Sequence, residues 1–138
     1  MSTTVNIEGL SNAIMSELNI MEKNVKVGIN KASKNAAAAG AKELRNTSPV
    51  RSDGYNRKYP PGSYAKSWTN KVTGTNLGIE QRTIYNAKHY QIAHLLEHGH
   101  VIVSNGKRYG MSRAIPHIST VDESVAEQFE REVRSMKL

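Results

Sequence analysis

His94, Glu97 and His98 are the residues of this sequence whose types and spacing best suit a chemical reaction. The segment His94-Leu-Leu-Glu-His98 matches the H-x-x-E-H pattern of zinc-dependent hydrolysis. Two imidazoles four residues apart can bind one metal ion, with the neighbouring carboxylate as general base. A catalytic zinc also needs a third ligand and an open position for water. The later carboxylates all fall in one charged terminal stretch, so we expect no catalytic residue, metal site or cofactor.

A short helix is predicted to carry this grouping. Ile92, Leu95 and Leu96 have the i, i+3, i+4 spacing of one helix face. Gly99 follows where a left-handed C-terminal cap is expected. The sequence therefore predicts a helix of about two turns, with these apolar residues on one face and the two imidazoles and the carboxylate on the other.

The composition indicates a single soluble domain over residues 1–138. The chain contains no Cys, which excludes disulfides, thiolate metal sites and a Cys nucleophile. No apolar run is long enough to span a membrane, and the first residues lack the basic start and apolar core of a secretion signal. We therefore expect no membrane partner.

The charge is basic and unevenly distributed. The formal net charge is +7. Residues 21–72 hold eleven Lys or Arg and three acidic residues, whereas residues 122–138 hold five acidic residues and three basic ones. This pattern suits a phosphate backbone, an acidic protein partner or head-to-tail packing of identical subunits. The charge alone does not choose among them.

The N-terminal third is predicted to be helical. Apolar residues recur every three or four positions over residues 10–44, and Pro49 should end the helical region. We expect a helix pair or one helix interrupted at residues 19–22, and a flexible segment at residues 1–8. The Ala-rich run 36–41 would let another element approach closely. A face rich in Lys, either solvated or in contact with nucleic acid, carries Lys23, Lys26, Lys31, Lys34 and Lys42.

Residues 49–63 are predicted to form a long basic loop, because turn formers dominate them. Long loops in compact domains are often binding elements, and aromatic side chains among basic ones suit a protein surface. Together with one residue of a later hairpin, they supply our candidates for a protein interface: Arg51, Tyr55, Arg57, Lys58, Tyr59 and Arg108.

The remaining elements predict an α+β fold with a small antiparallel sheet. Strands are expected at residues 64–72 and 79–86 around a turn at 73–78, with Trp68 as a core anchor. Asn105-Gly106 predicts a second hairpin. A C-terminal helix is expected over residues 122–138, capped by Ser119 or Thr120.

The order of these signals resembles the small neck proteins of lambda-like long-tailed bacteriophages, the head–tail joining or tail-completion proteins. The similarity spans roughly residues 20–135. It is carried by the helix ending in Thr-Ser-Pro49-Val, by Gly62-Ser-Tyr-Ala-Lys-Ser-Trp68, by Leu96-Glu-His-Gly99 and by Ile115-Pro-His-Ile118. The chain departs from the family at Ser119-Thr-Val, where a Pro-Ala pair is usual.

The resemblance implies a virion structural protein without enzymatic activity, assembled in the host cytoplasm. Its partners would be other neck and tail proteins and identical copies in a ring, with DNA nearby. The matching positions would be structural anchors: Trp68, Leu96, Glu97, Gly99 and Pro116.

Two other functions fit parts of the sequence. A basic nucleic-acid-binding domain is favoured by the Lys-rich face and predicts steeply salt-dependent binding to unrelated DNA. A zinc metallohydrolase is favoured by the H-x-x-E-H pattern alone, and the resemblance to phage neck proteins adds nothing to it.

Overall fold

A computed structural model describes residues 7–50 and 59–137, apart from the side chain of Ser104. The elements are helix α1 (Ile7–Thr47), helix α2 (Ser63–Lys66), strand β1 (Trp68–Asn76), strand β2 (Ile79–Asn86), helix α3 (Tyr90–His98), strand β3 (Val101–Ser104), strand β4 (Lys107–Met111) and helix α4 (Ile118–Arg134). The predicted α+β class is confirmed. Within the described ranges, no helix is both long and apolar enough to cross a membrane.

Helix α1 is continuous over 41 residues. The expected interruption at residues 19–22 is wrong, because that segment contains neither Pro nor Gly and an interior Asn weakens a helix only slightly. Ile7 and Glu8, expected to be flexible, belong to its first turn. The predicted end before Pro49 is confirmed.

Helix α4 packs antiparallel along the C-terminal half of α1. Gly40 lies against Val125 and Ile84, and Gly28 lies against Met136 near the other end of α4. Ala32, Ala36, Ala37 and Ala41 are buried. The close approach predicted for the Ala-rich run is therefore confirmed, and its physical basis is the small size of the side chains along this line of α1.

Strands β1 and β2 form an antiparallel hairpin with a bulge between Val72 and Gly74. The turn is shorter than expected: only Leu77 and Gly78 connect the strands, with positive φ angles of 52° and 81°, as a type I′ turn requires. Strand β1 also begins later than predicted. Ser63–Lys66 forms one helical turn, which places Tyr64 and Trp68 side by side in the core.

The core lies where the C-terminal end of α1 meets the start of α4. Its buried members are Leu44, Tyr64, Trp68 and Val121. Half-buried apolar side chains from β2, α3 and α4 pack against them. The prediction that Trp68 is a core anchor is confirmed, because only 5% of its surface is exposed.

Strands β3 and β4 form a second hairpin, hereafter the β3–β4 hairpin. The described residues contain two separate two-stranded sheets, β1–β2 and β3–β4, rather than the single small sheet expected. Asn105 and Gly106 make the predicted turn, with φ angles of 52° and 75°.

Replacing Gly40 by Leu should destabilise the fold. A side chain at this position would overlap Val125 and Ile84, so we expect the free energy of unfolding to fall by roughly 1–3 kcal/mol despite the better helix propensity of Leu. Urea denaturation followed by Trp68 fluorescence measures this change. Ala38→Leu is the matched control, since Ala38 is exposed on the same helix; equal losses in both variants would show that Gly40 is not a site of close packing.

Candidate functional site

The Glu97 carboxylate caps the start of α4. Its Oε2 accepts the backbone N–H groups of His117 at 2.6 Å and Ile118 at 2.8 Å, and its Oε1 accepts that of Ser119 at 2.9 Å. The first N–H groups of a helix have no partner within the helix, and the helix dipole favours a negative charge there. Glu97 therefore joins α3 to α4.

This geometry corrects two predictions about α4. The helix spans Ile118–Arg134 rather than residues 122–138. Neither Ser119 nor Thr120 is the N-cap residue. The N-cap residue is His117, and its side chain makes no capping hydrogen bond. The cap comes from Glu97, twenty residues earlier in the chain. Local capping preferences do not reveal a cap supplied by another helix.

Glu97 is ionised at neutral pH although it is buried. Only 8% of the residue is exposed. Burial alone would raise its pKa, but the hydrogen bonds from the backbone N–H groups of His117, Ile118 and Ser119, together with the Ser119 side chain, lower the pKa from 4.5 to about 2. Hydrogen bonds that exist only in the folded protein thus keep Glu97 negatively charged.

His117 connects this carboxylate to Tyr64. The His117 Nδ1 lies 2.8 Å from the carbonyl oxygen of Ile115 and 3.2 Å from Glu97 Oε2. Because both neighbours are acceptors, Nδ1 carries a proton. With that proton on Nδ1 of a neutral ring, Nε2 accepts a hydrogen bond from the Tyr64 hydroxyl, 2.8 Å away.

The network continues to Trp68 and the end of α1. Burial, and then the charge of Glu97, raise the pKa of Tyr64 to about 12, so its hydroxyl stays protonated. The Tyr64 ring packs edge-on against Trp68, whose indole N–H donates to the Ser48 hydroxyl at 2.8 Å. The buried polar groups of Glu97, His117, Tyr64 and Trp68 are all paired, as a stable interior requires.

The grouping that matches the zinc pattern is not assembled as one site. Glu97 points toward α4, whereas His94 and His98 are exposed. The three positions lie on one side of α3, as the spacing predicts, but only Glu97 is buried and the side chains do not converge on a common site. Across residues 7–50 and 59–137, no three His, Asp or Glu side chains are grouped closely enough to hold a metal ion.

A groove lies between three parts of the chain: residues 49–50 after α1, helix α2 and helix α3. Its volume is about 610 Å³, and its lining includes Pro49, Tyr59, Ile92 and Leu95. Ser63 and His89 meet on its wall, with Ser63 Oγ 2.8 Å from His89 Nε2. A hydroxyl and an imidazole at this distance can form a nucleophile–base pair, but activation also requires a third group that orients the imidazole. No ion pair joins a carboxylate to His89 in the part of the chain that is described.

Sequence reasoning missed the Ser63–His89 pair. The two residues are 26 positions apart, and they meet because Asn86 turns the chain after β2. The Asn86 side chain is buried; it donates to the carbonyl of Tyr64 and accepts the N–H of His89. Neither spacing nor residue type signals this contact.

The structure describes only two of the six residues predicted to form a protein interface. Arg51, Tyr55, Arg57 and Lys58 lie outside the described residues. Tyr59 is half-buried, with its ring centroid 4.6 Å from that of His89, whereas Arg108 is exposed on β4.

The predicted anchors occupy different environments. Leu96 is half-buried against the core, and Pro116 is exposed just before α4. Gly99 has a φ of 76° but a ψ of 168°, so its φ is positive as predicted while its ψ lies outside the left-handed helical region. A side chain at Gly99 would come within 2.7 Å of the Ser112 carbonyl oxygen.

Large apolar side chains are exposed at both ends of the molecule. One group lies on the first part of α1: Ile7, Leu10, Ile14, Met15, Leu18, Ile20 and Met21. The other group lies on the β3–β4 hairpin: Val101, Ile102, Val103, Tyr109 and Met111. Exposed apolar patches of this extent on soluble proteins commonly mark contact surfaces.

Comparisons with known proteins identify no relative. No protein-family model matches the chain, and neither a curated protein nor a solved structure is significantly similar to it.

Replacing Glu97 by Gln should remove a pH-dependent part of the stability. Gln has one acceptor oxygen for three N–H donors, so at pH 7 we expect the free energy of unfolding to fall by roughly 2–4 kcal/mol. Because the pKa of Glu97 is lower in the folded state, its contribution is complete above pH 4.5 and is lost as the pH falls toward 2. Urea denaturation at several pH values tests this.

The matched control is Glu127→Gln, on the exposed surface of α4. It should leave stability unchanged within about 0.5 kcal/mol. A difference between wild type and Glu97→Gln that stays constant from pH 7 to pH 2.5 would contradict the proposed role of the ionised carboxylate.

Proposed function

We propose that this chain is a non-enzymatic structural protein of a long-tailed bacteriophage, placed at the neck or tail top. It completes the tail and joins it to the DNA-filled head through protein contacts. Its partners are other neck and tail proteins and copies of itself. It is made in the host cytoplasm and is retained in the virion.

The observation that carries this proposal is the exposed apolar surface at both ends of the molecule. Leu10, Ile14 and Leu18 are each about half exposed on α1, and Val103 and Tyr109 are about 60% exposed on the β3–β4 hairpin. Exposing such side chains to water is unfavourable by roughly 25 cal/mol per Å² of apolar area. A protein that assembles with others gains this free energy when its contacts form.

The buried network supports the same function. The side chains that a metal-dependent reaction would need in the H-x-x-E-H segment do not form one site. Glu97 accepts hydrogen bonds from the start of α4, and the imidazoles of His94 and His98 are exposed to solvent. A structural subunit gains stability from such a network without needing an open reaction site. The sequence resemblance to phage neck proteins points to the same class of protein.

Nucleic-acid binding is the second candidate. Lys23, Lys31, Lys34 and Lys42 are exposed along α1, and such a face attracts phosphate groups without reading the base sequence. In a neck protein this surface would face the DNA channel, where weak attraction is sufficient.

Deleting the corresponding gene from a phage that encodes this chain should abolish head–tail joining. We expect electron micrographs of the lysate to show separate DNA-filled heads and tails, and the titre of infectious particles to fall to background. Adding the purified full chain to that lysate should restore infectious particles. The control is the Gly40→Leu variant, which should restore fewer particles in proportion to its unfolded fraction.

A normal titre after deletion would contradict the proposed function. A lysate that lacks filled heads or complete tails, and that the purified chain does not repair, would also contradict the proposed function. In that case the chain would act before the joining step.

Weak DNA binding is a separate expectation. With labelled duplex DNA, we expect a dissociation constant no tighter than about 1 μM at physiological salt, the range of non-specific contacts. Lys31→Glu with Lys34→Glu should weaken binding further without changing stability. A nanomolar dissociation constant with a steep salt dependence, lost in this double variant, would instead favour the nucleic-acid-binding function.

A further inference from the structure

The first part of α1 extends beyond the body of the protein. Met136, just after the end of α4, lies against Gly28 of α1. In the β1–β2 turn, Gly78 lies against Lys26 of α1. Residues 7–22 of α1 therefore form a protruding segment. The face of α1 that packs against the body continues along it as an apolar stripe, which we define as Ile7, Leu10, Ile14, Leu18 and Met21.

The β3–β4 hairpin is the second incomplete surface. Its apolar residues are exposed, from 41% for Val101 and Ile102 to 62% for Met111. An isolated two-stranded hairpin is marginally stable in water, and additional packing is normally needed. Ser112 holds its base through hydrogen bonds with the backbone N–H and Nδ1 of His100, but none of the described elements covers the strands.

The charges of these two surfaces are opposite. The protruding segment carries Glu8, Glu17 and Glu22 and no Lys or Arg, and of these Glu22 pairs with Lys26 at 2.8 Å. Residues 99–121, which contain the hairpin, carry Lys107, Arg108 and Arg113 and no Asp or Glu. Apolar residues flanked by opposite charges are the pattern expected of complementary protein surfaces.

These surfaces cannot meet within one copy. The chain at the base of the hairpin is bonded to the end of α3, since the Ile115 N–H donates to the Leu96 carbonyl oxygen at 2.7 Å, and Leu96 packs against the core that contains Leu44. Ile14 is thirty residues before Leu44 on a continuous helix, on the order of 45 Å at 1.5 Å per residue. Two complementary surfaces at opposite ends of a subunit produce head-to-tail association, which closes into a ring or continues as a filament.

We propose that the protruding segment of one copy docks along the β3–β4 hairpin of a second copy. The stripe covers the apolar hairpin residues, and Glu8 and Glu17 face the basic residues Lys107, Arg108 and Arg113. This inference rests on the proposed function for its setting and adds the surfaces through which identical subunits join. Five half-exposed side chains on each surface offer on the order of 1,000 Å² of total buried area, the lower end for a specific interface.

Pairing of two protruding segments with each other is the competing arrangement. The stripe has symmetric spacing about Ile14, so two antiparallel copies would place Leu10 opposite Leu18. That arrangement brings together two acidic segments and leaves the basic hairpin uncovered. The charges therefore favour the helix-to-hairpin contact.

Cysteine cross-linking distinguishes these arrangements, because the natural chain contains no Cys. We would mix equal amounts of the full-length Ile14→Cys and Met111→Cys variants under mild oxidation. The expected product is the mixed disulfide dimer, formed at least about tenfold faster than either homodimer, as proximity in a complex raises the effective concentration. The matched control is Ile20→Cys, which is as exposed as Ile14 but turned about 120° away from it around the same helix, and which should give little mixed dimer.

Every outcome of this experiment bears on the proposal. Rapid mixed dimer from Ile14→Cys but not from Ile20→Cys supports it. Dominant Ile14→Cys homodimer would overturn it in favour of paired helices. Equal slow formation of all products, with a monomer at all concentrations by analytical ultracentrifugation, would overturn it as well.

A charge exchange provides an independent measurement. Glu8→Lys with Glu17→Lys should weaken association, and so should Lys107→Glu with Arg108→Glu, whereas a mixture of the two double variants should regain it. Failure of the mixture to regain association would contradict the charge pairing. Circular dichroism checks that each variant is folded.

The result is separable from the test of the proposed function. If the purified chain restores head–tail joining but forms no helix-to-hairpin cross-link, this inference fails and the proposed function stands. If the cross-link forms but gene deletion leaves joining intact, the subunit contact stands and the proposed function fails.

Discussion

The capping of α4 by Glu97 is the interaction on which the folded core depends. Three backbone N–H groups at the start of α4 have no partner within the helix, and this carboxylate satisfies all of them. The same contact places His117 against Tyr64, and Tyr64 against Trp68. One buried negative charge therefore sets the relative positions of α2, α3, α4 and the first hairpin.

Close packing along α1 divides the molecule into two unlike parts. From Gly28 to Leu44, small or buried residues allow α4 and the β1–β2 hairpin to pack directly on the helix. Over residues 7–22 the same helical periodicity continues, but the large apolar side chains are exposed. This division underlies the assembly that we propose, because the packed part of the molecule would hold an exposed apolar surface in place for another subunit.

The H-x-x-E-H segment shows why a motif must be interpreted with its surroundings. A general base needs a free lone pair and a pKa near the working pH. The lone pairs of Glu97 accept backbone N–H groups, and its pKa of about 2 makes it a poor base at neutral pH. The two His residues do have the spacing of the zinc pattern, but the carboxylate between them caps α4.

Local patterns alone determined the end of α1 before Pro49, the strand at 79–86, the Asn105-Gly106 turn, the burial of Trp68 and the α+β class. These features depend on neighbouring residues and on short periodicities, which the sequence displays directly. The tertiary structure decided the source of the α4 cap, the Ser63–His89 contact and the separation of the two hairpins into two sheets. Each depends on residues distant in sequence, whose pairing no local preference specifies. The stripe on α1 illustrates the limit: its periodicity identifies an apolar face, but only the positions of α4 and the hairpins decide whether that face is covered.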